Sequence, residues 1–132
     1  MTHHHARLVL VVLVLGMPAV ASAVEYECRA TRKIDQVTVY TPEQLQEGQF
    51  SVRITDTRGQ ASLSRCSFVA SAGKVTCDRY DVDRVAFNER SESTKYYVFR
   101  SQFDVQVFSE LSFLENNGLG GITYGQCEVV AP

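Results

Sequence analysis

The sequence predicts an all-β domain: an antiparallel sandwich or small barrel of about eight to ten strands, with one short helical turn and two disulfides. Three observations support this prediction. Apolar and polar residues alternate along several short runs, which is the period of a strand with one buried face. Clusters of turn-forming residues separate these runs. The chain of 132 residues also contains four cysteines, an even number that suits two bridges.

The first 23 residues have the order of a secretory leader. Arg7 precedes an apolar run over residues 8–15, and Ala21-Ser22-Ala23 follows as an A-x-A cleavage site. The apolar run is shorter than the roughly 20 residues that a membrane-spanning helix needs. We therefore predict a signal peptide over residues 1–23 that is cleaved after Ala23. The product would have no membrane span and would be soluble, either periplasmic or secreted.

The mature part, residues 24–132, is predicted to form a single β domain of 109 residues. It contains no His or Met, because the three histidines and both methionines lie in the leader, and the whole sequence has no Trp. Its 12 Lys and Arg against 15 Asp and Glu give a net charge of −3, and basic and aromatic residues form no obvious platform. Nucleic acid is therefore not a predicted partner.

Four runs of the mature chain show strand alternation, and in each we expect the apolar residues to form the buried face. The segment 109–114 is ambiguous between a strand and a helical turn. Turn signals lie at 56–59, 71–73 and 88–93. The apolar positions of the four runs are, in order, Val37 and Val39; Phe50, Val52 and Ile54; Phe103, Val105 and Val107; and Ile122 and Tyr124.

One short helix is predicted after the first of these runs. Thr41 suits the N-cap, Pro42 the first helical position, and Gln44 completes a capping box three residues after the cap. Gly48 is expected to end the helix after one or two turns.

A hairpin around Ser71-Ala72 predicts the first disulfide. Symmetric pairing about these two residues places Cys66 opposite Cys77. Directly opposed residues have Cα atoms roughly 4.5 to 5.5 Å apart, within the range that a disulfide spans. Ser-Ala is a poor pair for a tight primed turn, so a longer loop and a shifted register remain open.

The second disulfide follows by elimination. If Cys66 pairs with Cys77, then Cys28 pairs with Cys127 and ties the first strand to the last. Of the three connectivities that four cysteines allow, we predict this one. Oxidised cysteines in an exported domain would not serve as reactive thiols or zinc ligands.

Catalytic residues, metals and cofactors are not predicted. Without a mature histidine there is no Ser–His or Cys–His pair, and imidazole metal ligands are absent. The densest carboxylates, Asp81 and Asp83, would share a strand face beside Arg79. We interpret them as a solvated face with paired charges. The enzyme alternative is a carboxylate-dependent glycosidase that uses these two side chains.

Two stretches are candidate binding surfaces. Tyr96, Tyr97 and Phe99 lie between two basic residues and indicate a central strand with aromatic residues on both faces, one of which is a candidate ligand face. The second stretch is a glycine-rich bend with an unexplained apolar residue, Leu119, at its centre. This candidate partner loop consists of Asn116, Asn117, Gly118, Leu119, Gly120 and Gly121.

Motifs along nearly the whole mature chain carry a resemblance to known proteins. They are YEC at Tyr26, RCSF around Cys66, KVTCDRYDVDRVAF from Lys74, KYYVFRSQFDVQVFSELSFLENNG from Lys95 and YGQC from Tyr124. With them, the sequence resembles a family of small exported bacterial proteins with no assigned activity, which implies no catalytic residues. It is similar, more weakly, to the C-type lysozyme inhibitors of the bacterial periplasm, which are small disulfide-closed β-barrels. The Ser-Gly-x-x-Tyr segment with which those inhibitors plug the lysozyme cleft has no counterpart here.

The predicted function is therefore that of a non-catalytic binding or envelope-associated module. Its partner would be an unknown protein or a small ligand in the envelope. One alternative is an inhibitor of a lysozyme-like hydrolase that uses the 116–121 loop as its plug. The other is the glycosidase described above.

Overall fold

The computed structural model describes residues 11–16 and 23–130. Most of the predicted leader lies outside the described residues, and residues 11–16 form no helix or strand. Residues 24–130 form ten strands and one helix. In chain order these are β1 (Val24–Asp35), β2 (Thr38–Val39), α1 (Pro42–Gly48), β3 (Ser51–Thr57), β4 (Gln60–Val69), β5 (Lys74–Asp81), β6 (Arg84–Asn88), β7 (Ser93–Val98), β8 (Phe103–Phe108), β9 (Ser112–Asn116) and β10 (Gly121–Val130).

Nine of the strands form one curled antiparallel sheet in the order β5-β4-β3-β1-β10-β9-β8-β7-β6, and β2 pairs with β1. The two edge strands, β5 and β6, are consecutive in the chain and are separated only by Val82 and Asp83. Val82 N donates to the Ala61 carbonyl of β4, and Asp83 N donates to the Tyr97 carbonyl of β7. The sheet therefore curls until its two edges meet at this bend. The all-β prediction is confirmed, and the architecture is a half-barrel.

The core fills the concave side of the sheet. Tyr80 of β5 packs edge-on against Phe103 of β8, with ring centroids 4.9 Å apart, so strands from opposite ends of the sheet order touch across the interior. The predicted buried face of β8 is confirmed, and that of β3 is confirmed at Val52 and Ile54. Phe50, predicted on the same face, lies just before β3 and is half-buried. The main buried apolar residues are Cys28, Val52, Ile54, Leu63, Tyr96, Val98, Phe103, Val105, Val107, Phe113 and Cys127.

Both predicted disulfides are confirmed, Cys66–Cys77 and Cys28–Cys127. Cys66 lies directly opposite Cys77, as the symmetric register requires. The connecting turn spans four residues, 70–73, and Gly73 adopts a left-handed φ of 65°. A four-residue turn accommodates the predicted register without the primed two-residue turn that Ser-Ala disfavours.

The predicted buried face at Val37 and Val39 is wrong. Gln36 has a left-handed φ of 54° and, with Val37, forms the turn between β1 and the two-residue strand β2. Both valines are exposed. Two apolar residues in alternation do not define a buried face unless another element covers them, and no helix or strand of residues 24–130 does so here.

The predicted buried face of the last strand is also wrong. Ile122 is only half-buried and Tyr124 is exposed, whereas Thr123 and Cys127 are buried. Because Cys127 must meet Cys28 in the interior, the period of two turns the odd-numbered positions of β10 inward. The ambiguous segment before it resolves into a turn over 109–111 followed by β9.

The short helix forms as predicted. The Thr41 hydroxyl accepts a hydrogen bond from Gln44 N, and the Gln44 side chain accepts one from Thr41 N. Pro42 is the first helical residue. The helix ends at Gly48, and Gln49 adopts the left-handed conformation that closes it.

A buried tyrosine gives the fold a predictable response to high pH. Tyr96 Oη donates to Asp56 Oδ2 at 2.8 Å across the interior. Burial, the hydrogen bond to Asp56 and the charge of Asp56 raise the pKa of Tyr96 above its usual range. The folded state therefore holds this proton more tightly than the unfolded chain. The resulting stabilisation is complete below about pH 10, the usual tyrosine pKa, and is lost as the pH rises above it.

We expect Tyr96→Phe to lower the free energy of unfolding at neutral pH by about 1.5 to 3 kcal/mol, because it removes a hydrogen bond to a charged group. Urea denaturation at pH 7 and above pH 10 measures this, with Tyr124→Phe as an exposed control. The deficit of Tyr96→Phe relative to the wild type should shrink at the higher pH. A deficit that is equal at both pH values would contradict the role of the Tyr96 proton.

Candidate functional site

An ion pair crosses the interior near one end of the half-barrel. Arg65 of β4 donates from Nη2 to Glu115 Oε1 of β9 at 2.6 Å. Glu115 is 5% exposed, and the guanidinium of Arg65 also lies over the Phe103 ring, 4.7 Å from its centroid. Arg65 lies two positions after the buried Leu63 in β4, and Glu115 lies two positions after the buried Phe113 in β9. Because side chains alternate along a strand, both point toward the interior. The pair therefore lies at the border of the core, with the Glu115 side chain buried and the Arg65 side chain partly exposed.

A β-bulge brings a lysine to the same region. The register between β1 and β10 shifts between Ala30 and Arg32, so Lys33 lies opposite the buried Thr123. Without the extra residue, strand alternation would turn Arg32 inward instead. Lys33 Nζ donates to Thr123 Oγ1 at 3.3 Å and lies 5.0 Å from the Phe50 ring centroid.

Gly125 makes the neighbouring part of this strand pair possible. A Cβ atom at Gly125 would overlap both the Arg29 carbonyl and the Phe113 ring. From the sequence alone, a glycine inside the last strand predicts a kink or a close approach of the backbone, and a kink here would aim Cys127 at Cys28. In the structure the irregularity is instead the bulge in β1, and Gly125 provides room for the close approach of β1 and Phe113.

These side chains surround a cavity of about 230 Å3, which we call the barrel cavity. Its wall combines buried and exposed charge. Glu115 and Thr123 are buried, Lys33 and Arg65 are partly buried, and Asp78 is exposed. The remaining wall residues are Ala30, Phe50, Ser51, Val52, Cys66, Ser67 and Phe113.

Sequence reasoning missed the charged residues of the barrel cavity. One signal was available in the sequence. Glu115 and Arg65 are charged residues at positions where strand alternation predicts an inward-facing side chain. The signal for Lys33 was not available, because the bulge that turns it inward leaves no mark in the alternation of β1.

The candidate ligand face at Tyr96, Tyr97 and Phe99 does not come together. Tyr96 lies in the core, whereas Tyr97 lies on the opposite face of β7 with Lys95 Nζ 5.1 Å from its ring centroid. Phe99 follows the end of β7 and packs obliquely against Tyr97 at 6.0 Å. Aromatic residues on both faces of the strand were expected, but none of the three lines the barrel cavity.

The candidate partner loop is an ordered bend. Asn117 Oδ1 accepts hydrogen bonds from Leu119 N at 2.7 Å and from Gly121 N at 2.8 Å. Gly118 and Gly120 have φ angles of 75° and 89°, and a Cβ at Gly118 would overlap the Gln102 carbonyl. The glycines therefore serve the bend that the sequence predicts, and Gly118 also permits a close contact with Gln102.

The bend touches two neighbouring turns. Gln36 N donates to the Gly120 carbonyl at 2.9 Å, which joins the bend to the β1–β2 turn. The contact of Gly118 with Gln102 joins it to the β7–β8 turn. We call the surface formed by residues 36–37, 99–102 and 117–120 the loop end. Each turn presents one exposed apolar side chain: Val37 is 94% exposed, Leu119 77% and Phe99 59%.

The predicted shared face of Asp81 and Asp83 is wrong, because β5 ends at Asp81 and Asp83 lies in the bend before β6. Asp83 Oδ2 accepts a hydrogen bond from Phe99 N at 2.7 Å, so this carboxylate anchors a turn of the loop end. Asp81 is exposed and lies 3.7 Å from Arg79. The two carboxylates therefore have separate local roles.

Within residues 11–16 and 23–130, no group of three or more His, Cys, Asp or Glu side chains is placed to hold a metal ion. The one helix of that part of the chain is too short and polar to cross a membrane. Comparison with protein-family models, with curated proteins and with solved structures returned no match.

Proposed function

We propose that this protein is an exported, non-catalytic binding module whose loop end contacts a protein partner in the cell envelope. The observation that carries the proposal is the set of three exposed apolar side chains, Leu119 on the bend and Val37 and Phe99 on the two turns that each contact this bend. Exposed apolar groups gathered on one surface are typical of interaction sites. Export is supported by the leader-like N-terminus and by two disulfides, which persist in oxidising compartments.

Hydrogen bonds that fix the backbone of the loop end favour recognition. The hydrogen bonds of Asn117 hold Leu119, and Asp83 holds the backbone of Phe99. A surface that is already ordered loses less conformational entropy when a partner binds. The net charge of −3 for the mature chain disfavours an anionic membrane surface as the occupant, and a protein is the better fit.

Site-specific photo-crosslinking in the exporting cells tests the proposal. A photoreactive residue at position 119 should form a defined crosslink with a partner protein, whereas the same residue at the exposed position 129 should not. Combined replacement of Val37, Phe99 and Leu119 by Ser should weaken binding of the purified partner by about a hundredfold, at roughly 1 kcal/mol for each contact.

The matched control is replacement of Phe87 and Val129 by Ser, because both are exposed apolar residues outside the loop end. Equal crosslinking from positions 119 and 129, or undiminished binding by the triple variant, would contradict the proposal. A muramidase assay with the purified protein tests the alternative that the protein inhibits a lysozyme-like hydrolase. Inhibition that the triple variant loses would identify the partner as a lysozyme-like hydrolase.

A further inference from the structure

The barrel cavity offers hydrogen-bond donors that have no partner among the residues that the structure describes. The Lys33 ammonium has three N–H donors, and one of them reaches Thr123. No carboxylate lies within 4.0 Å of Lys33 in the described part of the chain. Arg65 has five donors and commits one to Glu115. An anionic group in the cavity would therefore meet two cations with free donors.

The same cavity offers acceptors on other parts of its wall. Glu115 Oε1 accepts the bond from Arg65, while Oε2 has no hydrogen-bond partner among the described residues. In that part of the chain, every side-chain oxygen or nitrogen that is fully buried has a hydrogen-bond partner. Because Oε2 has no such partner, it is not fully buried, and we infer that it is accessible from the cavity. Asp78 lies opposite Arg65 on the neighbouring strand and forms no described ion pair. A ligand ammonium group would find two carboxylates.

The charges of the wall balance, and its remaining surface is partly apolar. Lys33 and Arg65 offset Glu115 and Asp78, so a ligand with net charge would leave one sign uncompensated. Phe50 and Phe113 line the same cavity. A volume of about 230 Å3 is small for a ligand pocket, which suits a molecule of a few heavy atoms.

We propose that the barrel cavity binds a small zwitterion, a free amino acid or a very short peptide with a small apolar side chain. The carboxylate of the ligand bonds to Lys33 and Arg65. Its ammonium group bonds to Glu115 Oε2 and Asp78, and its side chain packs on Phe50 and Phe113. This site is separate from the loop end and does not depend on the proposed protein partner.

Titration of the 15N-labelled processed protein with matched ligands tests the proposal. L-alanine, D-alanine and dialanine should shift the amide resonances of Lys33, Asp78 and Thr123. Propionate lacks the ammonium group and alaninamide lacks the carboxylate, so each should bind about tenfold to a hundredfold more weakly. Comparing the affinity for dialanine with the affinities for L-alanine and D-alanine shows whether the site prefers a short peptide or a free amino acid.

Variants of two accessible wall residues supply the second readout. Lys33→Gln and Asp78→Asn should each weaken alanine binding by about tenfold or more. Lys74→Gln and Asp81→Asn make the same charge changes outside the cavity wall and should bind like the wild type. Thermal unfolding without ligand verifies that all four variants fold.

Three results would overturn the zwitterion site. These are no resonance shift with any of the three zwitterions, equal affinity for propionate or alaninamide, and undiminished affinity in Lys33→Gln. The triple Ser variant of the loop end should bind alanine like the wild type, so a failure of the partner proposal and a failure of this one are distinguishable.

Discussion

Removal of the Cys28–Cys127 disulfide by Ala replacement is expected to lower the free energy of unfolding by about 4 to 5 kcal/mol, the chain-entropy value for a loop of about 100 residues. The two cysteines are 99 residues apart and are both buried. They join β1 to β10, where the strands of residues 24–81 meet those of residues 84–130. The bridge therefore holds together the two halves of the sheet. Small domains are stabilised by about 5 to 15 kcal/mol in total, so this loss should leave the variant close to unfolding.

The matched control is Ala replacement of Cys66 and Cys77, which are only 11 residues apart. The chain-entropy estimate for this shorter loop is a stabilisation of about 3 kcal/mol. The Cys66–Cys77 bridge joins only the edge strand β5 to its neighbour β4. Urea denaturation of both variants should place the midpoint of the Cys28/Cys127 variant below that of the Cys66/Cys77 variant. The reverse order would contradict the assignment of the main constraint to the β1–β10 junction.

The strands that were predictable from sequence are those with three alternating apolar residues or with an additional covalent constraint. Phe103, Val105 and Val107 all face the core, and the register of Cys66 and Cys77 follows from symmetric pairing. The pair Val37 and Val39 satisfied the same alternation over too short a run, and both residues are exposed. Alternation of apolar and polar residues predicts a buried strand face only when the alternating run is longer than a turn could produce.

The barrel cavity was less predictable because it depends on which strands face each other across the sheet. Arg65 and Glu115 are 50 residues apart, and β4 and β9 are not neighbours in the sheet. The pair forms because the sheet curls. Local alternation predicts which side chains point inward but not the curl that brings β4 opposite β9. Lys33 was still harder to predict, since a single inserted residue in β1 decides its face.

Arg65→Met is expected to lower the free energy of unfolding by about 3 kcal/mol, because it leaves the Glu115 carboxylate buried without its cation. The change keeps most of the side-chain volume, so the loss reflects charge rather than a cavity. Glu115→Leu should cost less, because the Arg65 side chain that remains is 32% exposed and can reach water. The asymmetry follows from the unequal burial of the two partners.

The double variant Arg65→Met/Glu115→Leu separates the two contributions. With both charges gone, no buried group is left unpaired, and its stability should recover to within about 1 to 2 kcal/mol of the wild type. Urea denaturation of the two single variants and the double variant completes the cycle. Additive losses would show that Arg65 and Glu115 act independently. A large coupling energy would instead show that the ion pair is what makes a buried carboxylate tolerable in the wall of the barrel cavity.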